Sequence, residues 1–235
     1  MATVQRLDKF ISHAADLPRS QVKRLLHAGR ITVNGTITKQ AKLVVDSDDD
    51  IRLDKSRLIQ ARLAYIMLNK PTGYVSTRDD STYPSALDLI EGHFHPPLHV
   101  AGRLDADATG LLFLTNDGQW SHRVTSPNHQ HPKTYCVTLA EPLSEQAIQQ
   151  LEQGVMLHGD ERPTLPAQVE QLDALTIRLV IQEGRYHQVK RMLAAVGNKV
   201  MQLHREQIGS VRLDEQLNVG TSRELSQIER EHFIG

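Results

Sequence analysis

The sequence predicts an α+β protein: a small N-terminal helix–helix–hairpin module joined by a polar linker to a larger domain on a mostly antiparallel sheet. Three observations carry this. Within the 235 residues, helically spaced apolar positions give way after about residue 62 to short strand-like runs. Past that point strand candidates outnumber helix candidates, without the strict alternation that a parallel sheet requires. Near the N-terminus, Asn34-Gly35 joins Ile31-Thr32-Val33 to Thr36-Ile37-Thr38, a strong signal for a tight hairpin.

Leu7, Phe10, Ile11 and Ala14 fall at helix spacing. Val22, Leu25 and Leu26 repeat it after a start signal at Pro18-Arg19-Ser20, and Gly29 reads as the stop. The hairpin follows, then an acidic, turn-like stretch from Asp46 to Asp54. The expected boundaries are residues 1–54 for the module, 55–62 for the linker and 63–235 for the larger domain. In that domain Tyr65–Leu68, Leu111–Leu114, Thr134–Leu139 and Leu175–Ile181 read as strands. Ser144–Gln153 and Tyr186–Val196 read as helices.

The formal charge of −1 hides an uneven distribution. Residues 1–45 carry eight Lys/Arg against Asp8 and Asp16, a net of +6. Residues 140–182 are acidic at −5, and residues 183–212 are basic at +4. Two basic blocks separated by an acidic one suggest two faces that meet a polyanion. One cysteine excludes an intrachain disulfide framework, and Cys136 reads as a buried, inert thiol in a strand. No apolar run is long enough to span a bilayer, so a soluble, cytoplasmic protein without a membrane partner is expected. The twelve histidines show no ligand spacing. A phosphate loop, a Gly-x-Ser-x-Gly elbow and a His-Glu-x-x-His motif are absent. Neither a metal nor a cofactor is expected.

Four stretches hold reactive side chains. Gly102-Arg103-Leu104-Asp105-Ala106-Asp107-Ala108-Thr109-Gly110 places charges on a glycine-flanked loop that runs into a strand. Glu183-Gly184-Arg185-Tyr186-His187-Gln188-Val189-Lys190-Arg191 gathers polar and cationic side chains at a helix start. Asn69-Lys70-Pro71-Thr72-Gly73 ends a strand in a turn, and Lys133-Thr134-Tyr135 opens another strand.

Taken together, these stretches resemble the pseudouridine synthases of the bacterial rRNA-modifying group. Gly102-Arg103-Leu104-Asp105 with Thr109-Gly110-Leu111-Leu112 looks like the catalytic-aspartate motif. Lys70-Pro71-x-Gly73 looks like the first family motif, and Gly184-Arg185-x-His187-Gln188-Val189-Lys190 like the late one. Arg6-Leu7-Asp8-Lys9-Phe10, Arg19-Ser20 and Gly29–Gly35 are similar to the RNA-binding domain named after ribosomal protein S4. The resemblance covers about residues 5 to 230.

The resemblance implies an isomerase that breaks the N1–C1′ bond of a uridine, turns the base over and rejoins it through C5, without a cofactor. It implies Asp105 as the reacting carboxylate, attacking the sugar or taking a proton from it. Lys190 matches the family's basic partner, although lysine lacks the bidentate fork of arginine. Tyr135 matches the active-site tyrosine, placed to stack on the base. Arg103 resembles the arginine that aids base flipping. Lys70, Arg185, His187 and Gln188 are expected to meet RNA or to support the site. Lys9, Arg19, Lys23 and Arg30 are expected to contact phosphates. Asp107 lies two residues from Asp105, and two close carboxylates resist joint ionisation, so it is expected to turn away and bond locally.

Within the family the resemblance is to the enzymes of the small subunit. It implies a uridine of 16S rRNA, met in an assembly intermediate, and a monomer. The alternatives are a sibling acting on 23S rRNA, a non-catalytic rRNA-binding assembly factor, and a carboxylate–metal hydrolase built on Asp105 and Asp107. The last lacks further ligands.

Overall fold

A computed structural model of the chain describes residues 4–234 except Asp16, Ser47, 60–62, Asp79, Ser81, His93, His95, Pro127 and Asn128. The chain divides into two compact units, Met1–Leu63 with Gly92–Leu98, and Ala64–Glu91 with His99–Gly235.

The first unit follows its apolar spacing. Strand β1 (Gln5–Arg6) leads into helix α1 (Leu7–Ala14), and α2 spans Arg19–His27. Leu7, Phe10, Ile11 and Ala14 of α1 and Val22 and Leu26 of α2 are buried together with Ile31, Val45 and Ile51. At the end of α2, Gly29 takes a φ of +67°. Its N–H donates to Leu26 and that of Arg30 to Leu25, the paired bonds of a Schellman stop. Strands β2 (Ile31–Val33) and β3 (Thr36–Ile37) form the expected hairpin. Asn34 and Gly35 both have positive φ, 51° and 80°, as a two-residue turn of this hand requires.

Strand pairing in this unit extends further than the sequence pattern predicts. Strand β4 (Val44–Val45) pairs with β1, and β5 (Ile51–Leu53) pairs with β2. The stretch Asp46–Asp54, expected to be a turn, therefore holds a strand, and its Ile51 is fully buried. Strand β6 (Ser56–Arg57) pairs with β5, so the ordered sheet runs into the expected linker. Strands β1 and β4 form a two-stranded sheet of their own, and β3-β2-β5-β6 form another. Gln60, Ala61 and Arg62 of that segment lie outside the described residues.

The second unit is a mixed but mostly antiparallel sheet. Its strands are β7 (Tyr65–Lys70), β8 (His99–Ala101), β9 (Thr109–Thr115), β10 (Lys133–Leu139), β11 (Gln168–Gln171) and β12 (Thr176–Ile181). To these are added β13 (Val200–Ile208), β14 (Val211–Arg212) and β15 (Ser222–Glu224). The order is β11-β12-β10-β13-β9-β7-β15, with β14 on β13 and β8 on β9. Among the described residues, β9 and β13 are the one parallel pair, in which His204 and Arg205 face Thr109 and Gly110. Helices α3 (Gly118–Thr125), α4 (Glu145–Gln153), α5 (Gln188–Ala195) and α6 (Gln227–Glu231) complete the unit. Asn116-Asp117-Gly118 does more than close a strand: Asp117 caps α3 by accepting from the N–H groups of Gln119 and Trp120.

The core beside the site is aromatic. Phe113, Trp120 and Phe233 meet edge to face, with centroids 5.7 Å and 5.4 Å from Trp120. The Trp120 indole N–H donates to the Arg230 carbonyl at 3.1 Å, so burial leaves it paired. No helix among the described residues is long and apolar enough to cross a membrane.

Candidate active site

The loop between β8 and β9 carries Arg103, Asp105 and Asp107, and its backbone is clamped from three sides. Lys70 ends β7 with no solvent exposure. Its Nζ donates to the carbonyls of Pro71 (2.7 Å), Ala108 (2.8 Å) and Ala106 (3.4 Å). Burial pulls its pKa down to about 8, against the pull of Asp107 and Asp105. Ser76 bonds Leu104 reciprocally: its hydroxyl donates to the carbonyl at 2.7 Å and accepts from the N–H at 2.9 Å. From β13, buried Arg205 donates to the carbonyls of Leu111 (2.8 Å), Arg103 (3.1 Å) and Gly102 (3.4 Å).

Gly110 explains why the loop closes with a glycine. Its φ is +102°, and a Cβ there would lie 2.4 Å from the Arg205 carbonyl oxygen. The parallel joint of β9 and β13 thus places the clamp of the loop at a position that no side chain can occupy.

Helix α5 supplies the cation. Lys190 Nζ lies 3.0 Å from Asp105 Oδ2 and 2.6 Å from Asp107 Oδ1. Burial opposes the charge on Lys190, yet its hydrogen bonds to Asp107 and Asp105 hold its pKa above the ordinary value. Burial likewise opposes the charge on Asp107, but the Lys190 bond holds its carboxyl below the ordinary range. Asp107 therefore does not turn away as expected; it shares one ammonium with Asp105, which answers the like-charge problem. His187 Nε2 stands 3.5 Å from Asp105 Oδ1. His187 adopts a left-handed backbone, φ +47°, rare for a residue with a Cβ.

Asp105, His187 and Lys190 line a cavity of about 1020 Å³. Tyr135, on β10 between Leu179 and Arg205 of the neighbouring strands, is on its wall. Arg103 is exposed at the same cavity. Lys133 also lines it; burial and the neighbouring Arg205 lower its pKa. The structure thus brings together Asp105, Lys190, Tyr135, Arg103 and His187 around one space.

Of the residues expected to meet RNA or to support the site, three are engaged by the protein itself. Lys70 is fully buried and spends its ammonium on carbonyls. Gln188, 4% exposed, accepts from the Arg185 N–H and donates to Glu183. The Arg185 guanidinium donates to Glu183, Asp160 and the carbonyls of Arg162 and Pro163. All three shape the backbone that presents the site. Cys136 is half-buried, and burial raises its thiol pKa. Among the described residues, no group of three or more His, Cys, Asp or Glu converges as metal ligands.

Arg205 and Ser76 hold the loop in place, and the sequence alone singled out neither. Neither had a local signal: Arg205 stands among His204, Glu206 and Gln207 and reads as a surface charge.

In the first unit, Lys9, Arg19 and Lys23 are exposed on α1 and α2. Arg30 is exposed too, but its guanidinium forms a two-point pair with Asp54 at 2.9 and 2.6 Å.

Comparison with known proteins agrees with this architecture. Residues 64–195 match the family model for RNA pseudouridylate synthase, and residues 5–51 match that of the S4 domain. A ribosomal small subunit pseudouridine synthase A from Yersinia pestis is 47% identical over 222 residues, 94% of each chain. The protein of that name from Haemophilus influenzae is 46% identical over 230 residues, covering 97% of this chain and 99% of its own. A crystal structure of a pseudouridylate synthase, 46% identical, superposes with a TM-score of 0.71 over 97% of this chain and 99% of that one.

Proposed function

The chain belongs to the RNA pseudouridylate synthase family, and from that premise we propose that it isomerises one uridine of 16S rRNA to pseudouridine, with Asp105 as the reacting carboxylate. The observation that carries this is the Asp105 carboxylate itself. It sits on a loop fixed by Lys70, Ser76 and Arg205, is aimed by Lys190 at 3.0 Å, and faces a cavity lined by Tyr135 and Arg103.

The reaction conserves its atoms. The N1–C1′ bond breaks, the uracil turns, C5 joins C1′, C5 gives up its proton and N1 gains one. The carboxylate serves by attack on C1′ or by taking a sugar proton, and Lys190 supplies the compensating charge in either case. Tyr135 offers a ring for the extruded base. Arg103, planar and cationic, is placed to fill the gap left in the RNA stack. Much of the specificity then comes from RNA shape, with Lys9, Arg19 and Lys23 of the first unit reading phosphates. We place the substrate in a partly assembled small subunit and the protein there as a monomer.

The test is pseudouridine mapping on 16S and 23S rRNA, naked and as partial ribonucleoprotein, with the wild type and Asp105→Asn. One new site in 16S, absent with the variant, is the expected result. A site in 23S moves the target to the large subunit. RNA binding with no modification in either RNA overturns the proposal in favour of a binding factor.

A further inference from the structure

Tyr186 is a large aromatic side chain left 72% exposed at the cavity that holds Asp105. Its ring is not loose. It stacks on the imidazole of His187, with centroids 3.9 Å apart and planes 19° from parallel. His187 in turn places Nε2 3.5 Å from Asp105 Oδ1. The backbone is held as well: the Tyr186 carbonyl accepts from Arg191 at 3.2 Å, and His187 keeps its left-handed φ of +47°. One face of the Tyr186 ring is therefore backed by a second ring, while most of the residue stays open to solvent.

Flipping a uridine out of RNA leaves its neighbours without a stacking partner. Exposed aromatic faces at RNA sites take up unstacked bases with little regard to sequence. We propose that Tyr186, backed by His187, is the platform on which a base adjoining the target uridine stacks while that uridine occupies the cavity. The inference rests on the reading of this cavity as an RNA-modifying site. It makes Tyr186 a positioning residue for the RNA strand, separate from the groups around Asp105 that act on the flipped uridine.

The test uses RNA carrying the mapped uridine, in whichever form, naked or partly assembled, supports turnover. The nucleotide on its 5′ side, then that on its 3′ side, is replaced by an abasic one. Initial rates are measured for the wild type, Tyr186→Ala and Tyr186→Phe. On intact RNA, Tyr186→Ala is expected to lower kcat/KM roughly ten-fold or more, and Tyr186→Phe to stay near the wild type. At one of the two neighbours, the abasic change costs the wild type a similar factor and costs Tyr186→Ala nothing further. Additive losses at both neighbours, or a Tyr186→Ala variant with wild-type rates, overturn the platform. Absence of turnover by the wild type on every intact RNA overturns the underlying reading, and the platform with it. Melting temperatures equal to the wild type's are expected for both variants, since the side chain is exposed.

Discussion

Lys190 holds its ammonium 3.0 Å from Asp105 Oδ2, and the same nitrogen reaches Asp107 at 2.6 Å. A cation shared in this way orients the Asp105 carboxylate and spares the neighbouring one the cost of repulsion. Asp105→Asn is expected to abolish turnover while leaving melting temperature and RNA affinity near those of the wild type. Lys190→Met should lower the single-turnover rate by about 10²–10³, the usual range for removing one electrostatic partner at a reacting centre. Lys190→Arg should retain most of the activity. Asp107→Asn should cost far less than Asp105→Asn, because it leaves Lys190 with the carboxylate that matters. Equal losses for the two aspartate variants in quench-flow assays would refute this division of roles.

Lys70 makes a pH-dependent contribution whose sign follows from its burial. Its pKa in the folded chain is about 8, below the ordinary value of 10.5. Between these values the unfolded chain binds more protons, so stability rises with pH across that window. Below pH 8 the cost of the buried charge is fully present. Urea midpoints measured from pH ~8 to ~10 should therefore climb, before tyrosines ionise in the unfolded chain. Lys70→Met should flatten that climb and slow turnover together, because the carbonyls of Ala106 and Ala108 lose their shared donor. A variant that keeps the slope would show that another group titrates there.

Legibility in the sequence tracked how local each signal was. Helices α1 and α2 and the Asn34-Gly35 turn were readable because spacing and turn chemistry lie within a few residues. Strand β13 was not, since Glu206 and Gln207 break its apolar pattern and Arg205 reads as a surface charge until its carbonyl partners are known. Family motifs led to Asp105, Lys190 and Tyr135, which do share one cavity. The same motifs picked out Lys70, Arg185 and Gln188 but left open whether each meets RNA or supports the site, because a motif marks that a residue matters without saying whether it faces inward or outward. Asp107 failed for a different reason: local repulsion was weighed, but a cation from 83 residues downstream could not be.

Gly110 offers a test of the joint between β9 and β13. A methyl group there would meet the Arg205 carbonyl at 2.4 Å and its nitrogen at 2.8 Å, on a backbone with φ +102°. Gly110→Ala is expected to destabilise the protein by ~2–4 kcal/mol, the sum of backbone strain and overpacking. Gly118→Ala is the matched control: a Cβ there meets nothing within 4 Å, and the position opens helix α3. Chemical denaturation that ranks the two variants equally would contradict the close approach of these strands.

The exposed cations of the first unit differ in how free they are to meet phosphate. Arg19 and Lys23 stand one helical turn apart on α2, both exposed. Arg30 already spends two donors on Asp54, at 2.9 and 2.6 Å. Removing one cation that neutralises a phosphate lowers the slope of log K against log salt by about 0.7–0.9. Arg19→Ala and Lys23→Ala should each remove about that much, and the double variant about twice it. Arg30→Ala should change the slope less, because moving that guanidinium to a phosphate first breaks its pair with Asp54. Asp54→Ala should then steepen the slope, since it frees Arg30 for RNA. Filter binding of rRNA across a salt series measures all of these variants. A slope unchanged by the Arg19 and Lys23 substitutions would mean that this face does not carry the RNA.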